Sequence, residues 1–143
     1  MAAVNVALQL ESLLRLQQEL ALETDVDKVL TRIIDTATGM LAAERATLYV
    51  VDNAKNQLWS RVLTEVSEPG VAKVREIRLP LDGRSLAAEV ARTGAVLRID
   101  APYDDPRFDP STDQRTGFRT RSILMAPIDA RDRRRLGVLQ VLN

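Results

Sequence analysis

Apolar residues recur along this chain first at helical spacing and then at every second position. From 4 to 22 the sequence is rich in Leu, Gln and Glu and free of Gly and Pro, which predicts a helix. Within it Val6, Leu10, Leu13, Gln17 and Leu20 follow alternating four- and three-residue steps, a coiled-coil-like seam. Leu8, Leu14, Leu16 and Leu22 lie off that seam and widen the apolar surface. The pattern suits a helix packed on its own domain. Its width favours one that also meets a second copy, with Gln17 as the polar interface position. Thr24 is the expected N-cap of a second helix, with Asp27 three residues on, near the positive end of the dipole. Val26, Val29, Leu30, Ile33, Ile34, Ala37, Met40 and Leu41 carry its periodicity to about residue 42.

The period then becomes two. Thr47, Tyr49 and Val51 alternate with Leu48 and Val50, and a polar turn over 52–56 leads into a second strand, 57–64. The first of these strands is apolar on both faces, as expected of a central strand. Residues 65–73, with Pro69-Gly70, read as a mobile connection, and 74–79 as a short strand stopped by Pro80. Ser85 is placed to cap a short helix over 86–93, with Glu89 early in it and Gly94 as its stop. A strand over 95–99 precedes a long acidic, proline-rich loop, and strands at 121–128 and 136–142 form a last hairpin around a charged, solvated tip. Helices first and hairpin-linked strands after them predict an α+β domain with a mainly antiparallel sheet.

The loop from Asp100 to Arg121 adds candidate chemistry. A connection of that length in a compact domain is normally a lid or binding loop, or disordered. Its far end sets Asp113, Thr116, Phe118, Arg119, Thr120 and Arg121 at the mouth of a strand. Those hydroxyls and that carboxylate suit a polar ligand, but Asp and Thr also stitch turns to their own backbone. Arg119 and Arg121 are read first as neutralising the loop's aspartates. The loop's carboxylate spacing matches no EF-hand, and no metal site is expected.

Composition narrows the class. The 143 residues fit one domain with a real core. Net charge is zero, so nothing recruits a nucleic-acid polymer or an anionic membrane, and no apolar run reaches the roughly 20 residues of a membrane span. The N-terminus does not read as a signal peptide, which leaves the cytoplasm as the expected compartment. There is no Cys and no His, hence no thiolate nucleophile and no neutral-pH imidazole base. The chain is not expected to be an enzyme.

The run DAPYDDPRFDPSTDQRTGFRTRSILMAPI, followed by LGVLQVLN at 136–143, resembles a GAF domain, most like those of cyclic-nucleotide phosphodiesterases and bacterial adenylyl cyclases. EIRLPLDGRSLAAEVARTGAVLRID at 76–100 and ERATLYVVD from residue 44 extend the match, which covers the chain from residue 24 onward. The resemblance implies a GAF-like, PAS-related α+β fold, with N-terminal helices on one face of the sheet. On the other face, the short helix and the long loop would form a pocket. Residues 1–23 would then be a linker and dimerisation helix, and 24–143 the GAF domain. Family members carry an Asn-Lys pair matched here only by Asn143, followed by a last strand and a closing helix. Their absence would leave an open sheet edge, so the chain is expected to be a fragment or N-terminal module of a larger signalling protein with an output domain. The absence of Cys and His sets aside the bilin, haem and methionine-sulfoxide reductase branches.

The resemblance also carries over site residues. Thr47 matches a pocket-lining Ser or Thr, and Ser85, Leu86 and Ala87 match a segment whose backbone N–H groups approach a ligand phosphate. Asp113, Thr116 and Thr120 match pocket-lining positions, and Phe118 is the aromatic best placed to face a ligand, with Trp59 read as sheet packing. Leu63 and Thr64 stand where some relatives place a purine-stacking aromatic and a carboxylate. The expected ligand is cAMP or cGMP, no cofactor being certain. The alternative is a GAF module that binds no ligand and serves as a homodimerisation element.

Overall fold

The computed structural model describes the backbone of residues 2–64 and 73–143 and the side chains of 5–60 and 76–143. Two helices lead, α1 at Ala2–Leu22 and α2 at Val26–Leu41. The α2 N-cap is Asp25 rather than Thr24: its backbone is extended and its carboxylate accepts from the Asp27 N–H at 3.0 Å. A carboxylate at the positive end of a helix holds that N–H more strongly than a hydroxyl does. Ala42 closes the helix with a left-handed backbone, its N–H donating to the Thr38 carbonyl.

The half-buried positions of α1 are Gln9, Leu16, Glu19 and Leu20, and Glu19 pairs with Arg32 of α2 at 2.6 Å. Val6, Leu10 and Leu13 of the seam remain 62%, 55% and 48% exposed. Among the described residues, packing within the chain therefore leaves this stripe in water.

The six strands are β1 (Arg45–Asp52), β2 (Gln57–Thr64), β3 (Lys73–Pro80), β4 (Leu97–Ile99), β5 (Ile123–Asp129) and β6 (Arg135–Leu142). They form one sheet in the order β3-β2-β1-β6-β5-β4, every neighbouring pair antiparallel. The apolar β1 is indeed central. Among the described strands β6 lies between β1 and β5, and the sheet's edges are β3 and β4. Pro80 ends edge strand β3 opposite Gln57, a place where its missing N–H costs no ladder bond. The fourth strand begins at Leu97, later than expected. Residues 65–72 of the expected mobile connection lie outside the described residues, as do the side chains of Leu63 and Thr64.

Side chains alternate between the faces of a sheet, so the register sorts them. Tyr49, Leu58, Ile99, Ile123, Met125 and Val138 share one face, where they pack with Leu86, Ala87, Val90 and Ala91 of α3 (Leu86–Thr93). Leu58 and Val138 are 0% exposed, and full burial of each such side chain contributes about 1.5–3 kcal/mol. On the opposite face α2 packs against β1. Gly137 lets β1 and β6 approach: a Cβ there would sit 2.2 Å from the Tyr49 carbonyl oxygen. The segment expected as an irregular loop holds a 3-10 turn, Pro102–Asp104, and a short helix α4, Ser111–Thr116. Pro102 sits at the start of that turn, where its lack of an N–H leaves nothing unpaired.

Candidate functional site

The α3 helix is held at both ends. At its N-terminus Ser85 takes the extended cap conformation and its Oγ accepts from the Ala88 N–H at 3.2 Å, as expected. Leu86 and Ala87 are 8% and 2% exposed, with their side chains in the core. At the C-terminus Gly94 takes φ 71°, and Arg135 of β6 donates to the Ala91 carbonyl at 2.7 Å while it pairs with Asp129. Arg92 donates to the Leu81 and Gly83 carbonyls of the loop that enters the helix. A helix so clamped keeps its position over the sheet without help from a ligand.

The loop beside it is closed by Asp113, a carboxylate only 7% exposed. One oxygen accepts from the Thr120 hydroxyl at 2.8 Å; the other accepts from the Thr120 N–H at 2.7 Å and the Tyr103 hydroxyl at 2.8 Å. Burial pushes the Asp113 carboxyl up, but these bonds and the nearby Arg119 charge outweigh it and leave it below the ordinary value. The same carboxylate raises the pKa of the Tyr103 phenol, whose ionisation it opposes. Arg119 lies over the Tyr103 ring, 3.7 Å from its centroid, and the Tyr103 and Phe108 rings meet at a 55° tilt, their centroids 5.2 Å apart. Asp113 and Thr120 are thus brought together and engage one another. Thr116 stays exposed and donates to its own helix at the Thr112 carbonyl, 2.8 Å away.

The chain's last residue fastens this loop to the sheet. The Asn143 side-chain oxygen accepts from the backbone N–H groups of Arg121 at 2.7 Å and Ser122 at 3.2 Å. Its amide nitrogen donates to Glu44 and to the Arg119 carbonyl, each at 3.0 Å. Arg121 pairs with Glu44 and not with the loop's aspartates as expected; Asp105 is instead met by Arg107. The Asn143 and Arg121 bonds lower the Glu44 carboxyl. Arg107 holds the Asp105 carboxyl at about 2.

Thr47 lies in the middle of the sheet on the α3 face, since Tyr49, two residues on, belongs to the core there. Its cross-strand partner is Gln140 of β6. Both side chains are half-buried, and neither has a hydrogen-bond partner among the described residues. Two unpaired polar groups on the inner face of an apolar sheet mark a place that solvent or a polar ligand reaches. Gln140 is not among the residues singled out from sequence. Its signal was present: one polar residue in LGVLQVL, in phase with the inward-facing Val138 and Leu142. Phe118 is half-buried and carries the guanidinium of Arg45 on its ring, 3.9 Å from the centroid. No group of three or more metal-ligating side chains occurs among the described residues, and none of their helices is long and apolar enough to cross a membrane.

Comparison with known proteins agrees with this architecture. The probable 3′,5′-cyclic phosphodiesterase pde-5 of Caenorhabditis elegans is 30% identical over 127 residues, 82% of this chain, which spans 17% of that protein's length. The GAF domain of an Acinetobacter phosphoenolpyruvate-protein phosphotransferase superposes with a TM-score of 0.70 at 19% identity, over 95% of this chain and 77% of that one. A free methionine-R-sulfoxide reductase from Neisseria meningitidis, solved with its substrate, gives 0.66 at 23% identity, over 96% of this chain and 74% of that one. At those identities the two structures speak for the fold alone. The GAF domain family model matches residues 25–143, α2 to the end of the sheet, and by that match the chain belongs to the GAF domain family.

Proposed function

We propose that this chain is the small-molecule-sensing regulatory module of a larger cytoplasmic signalling protein, without catalytic activity of its own. Its ligand is cAMP or cGMP, bound between α3, the 100–121 loop and the inner face of the sheet. One observation carries the reading: Thr47 and Gln140 stand half-buried and unpartnered, opposite one another on the α3 face. Ser85, Leu86 and Ala87 supply backbone N–H groups at a helix N-terminus for the phosphate. Thr116 and Phe118 line the loop side, while Asp113 and Thr120 hold that side in shape. The phosphodiesterase relative makes a cyclic nucleotide the first ligand to test.

A thermal melt with and without each nucleotide is that test. A ligand at 100 times its Kd adds about 2.7 kcal/mol, which moves the midpoint by several degrees in a domain of this size. A shift with either nucleotide is expected. No shift with either at millimolar concentration, from a cooperatively melting sample, refutes the cyclic-nucleotide assignment.

A second reading, a homodimerisation element that needs no ligand, has its own support in the exposed stripe of Val6, Leu10 and Leu13 on α1. Pairing with a second copy covers that stripe, with Gln17 set in the interface. Sedimentation then finds a dimer, and Leu10→Glu with Leu13→Glu converts it to a folded monomer. A wild-type monomer at 100 µM would rule this out.

A further inference from the structure

Arg45 opens β1 opposite Leu142 of β6, and its side chain falls on the α3 face, in line with Thr47 and Tyr49. Its guanidinium lies 3.9 Å from the centre of the Phe118 ring. Stacking holds a guanidinium by its face and leaves the N–H groups along its edge in the plane of the fork. Among the described residues no carboxylate and no carbonyl meets that edge. The acids nearby are otherwise engaged. Glu44 is met by Arg121 and Asn143, and Asp113 by Thr120 and Tyr103. Arg121, Arg107 and Arg135 are ion-paired, and Arg119 lies on the Tyr103 ring, where its charge helps lower the Asp113 carboxyl. Arg45 is exposed, and the Phe118 ring orients it; its charge helps lower the neighbouring Glu44 carboxyl, but no hydrogen bond or ion pair joins the two.

The surroundings define what it faces. Two residues along β1 is Thr47, and beside Thr47 is Gln140, both unpartnered. Arg45, Thr47 and Gln140 form a short polar strip on a face otherwise built from Tyr49, Val138, Met125 and Ile123. The strip runs from a donor-only cation at the sheet's end to a hydroxyl and an amide, each able to donate and accept. We propose that Arg45, laid on Phe118, is a further anion-recognising group of this site, in addition to the α3 N-terminus, and that the ligand it takes carries an oxyanion, a phosphate or a carboxylate. The polar body of that ligand meets Thr47 and Gln140. The pre-set fork binds a bidentate oxyanion with little further loss of side-chain freedom. Phe118 is then the positioning residue, acting through Arg45 and not as a base-stacking platform.

The inference rests on the ligand-sensing reading above, and its test separates the two. Arginine Nε–H resonances are recorded on 15N-labelled protein titrated with cAMP, cGMP, inorganic phosphate or acetate at constant ionic strength. The Arg45 signal is assigned by its absence from Arg45→Gln, whose melt confirms that it folds. That signal is expected to move saturably with at least one probe, and the responding probe tells phosphate from carboxylate. In Arg45→Gln the affinity for that probe falls about tenfold to a hundredfold, and Arg45→Lys restores only part of it because the fork is lost. Response to phosphate or acetate alone keeps Arg45 as the anion site and removes the cyclic nucleotide. A nucleotide that binds wild type and Arg45→Gln equally keeps the nucleotide and overturns the role of Arg45. An Arg45 signal that moves no more than those of exposed arginines, with all four probes, overturns it as well.

Discussion

Replacing Asp113 by Ala tests the closure of the 100–121 loop most directly. The native carboxylate accepts from the Thr120 hydroxyl, the Thr120 N–H and the Tyr103 hydroxyl. Hydrogen bonds to a charged group contribute about 1.5–3 kcal/mol each, less where water can replace the partner. Tyr103 is 40% exposed and finds water once released, so its bond counts little. Thr120 is 3% exposed and keeps a buried hydroxyl and N–H without an acceptor. The expected loss is therefore about 2–4 kcal/mol, or roughly 6–15 °C in midpoint for a domain of this length. Thr120→Val removes one donor and its need together, and should cost less, about 1–2 kcal/mol. Urea unfolding followed by circular dichroism gives both values.

The pH dependence follows from the direction of the Asp113 shift. Its folded pKa lies below the ordinary carboxyl value of 3.8, so the protein favours the ionised form. The stabilisation is complete above the unfolded pKa, about 3.9, and is lost as pH falls through the folded value. The gap between wild type and Asp113→Ala should hold from pH 8 to 5 and shrink below about pH 4. A gap under 0.5 kcal/mol at pH 7, or one unchanged at pH 3, would refute the account of the loop.

Two further substitutions test the scaffold. Gly137→Ala sets a Cβ 2.2 Å from the Tyr49 carbonyl oxygen in the middle of the sheet. It should cost about 1–3 kcal/mol in urea unfolding, and full stability would mean that β1 and β6 are spaced more widely. Ser85→Ala removes the bond to the Ala88 N–H and should lower stability by about 1 kcal/mol, whereas Ser85→Asp should restore it. An Asp variant no better than Ala would show that the cap is not held by that bond.

Much of the architecture was legible in the residues. The α3 helix, with Ser85 before it and Gly94 after it, stands where its local signals put it, because caps and stops act within a few residues. The apolar β1 is central, as a strand with two covered faces must be. Local signals misled where two candidates compete. Thr24 and Asp25 both cap helices well, and backbone angles choose Asp25. The charges of the 100–121 loop suggested self-neutralisation, yet Arg121 crosses to Glu44, which only the folded chain brings near.

The candidate site divides in the same way. Residue types, period and resemblance selected Thr47, Ser85, Leu86, Ala87, Asp113, Thr116, Phe118 and Thr120, since a polar residue in an apolar strand or a capped turn is visible in one dimension. Which of them has a free polar atom is a question of three-dimensional neighbours. Asp113 and Thr120, seven residues apart, meet because α4 turns the chain back, and their hydrogen bonds satisfy each other. Gln140 and Thr47 lie far apart in sequence and become partners through the β1–β6 register. Arg45 rests on Phe118 because Asn143 fastens the end of the loop to the sheet beside β1. Periodicity determines which face a side chain takes. What it meets there depends on contacts between distant segments, and those form only when the sheet closes.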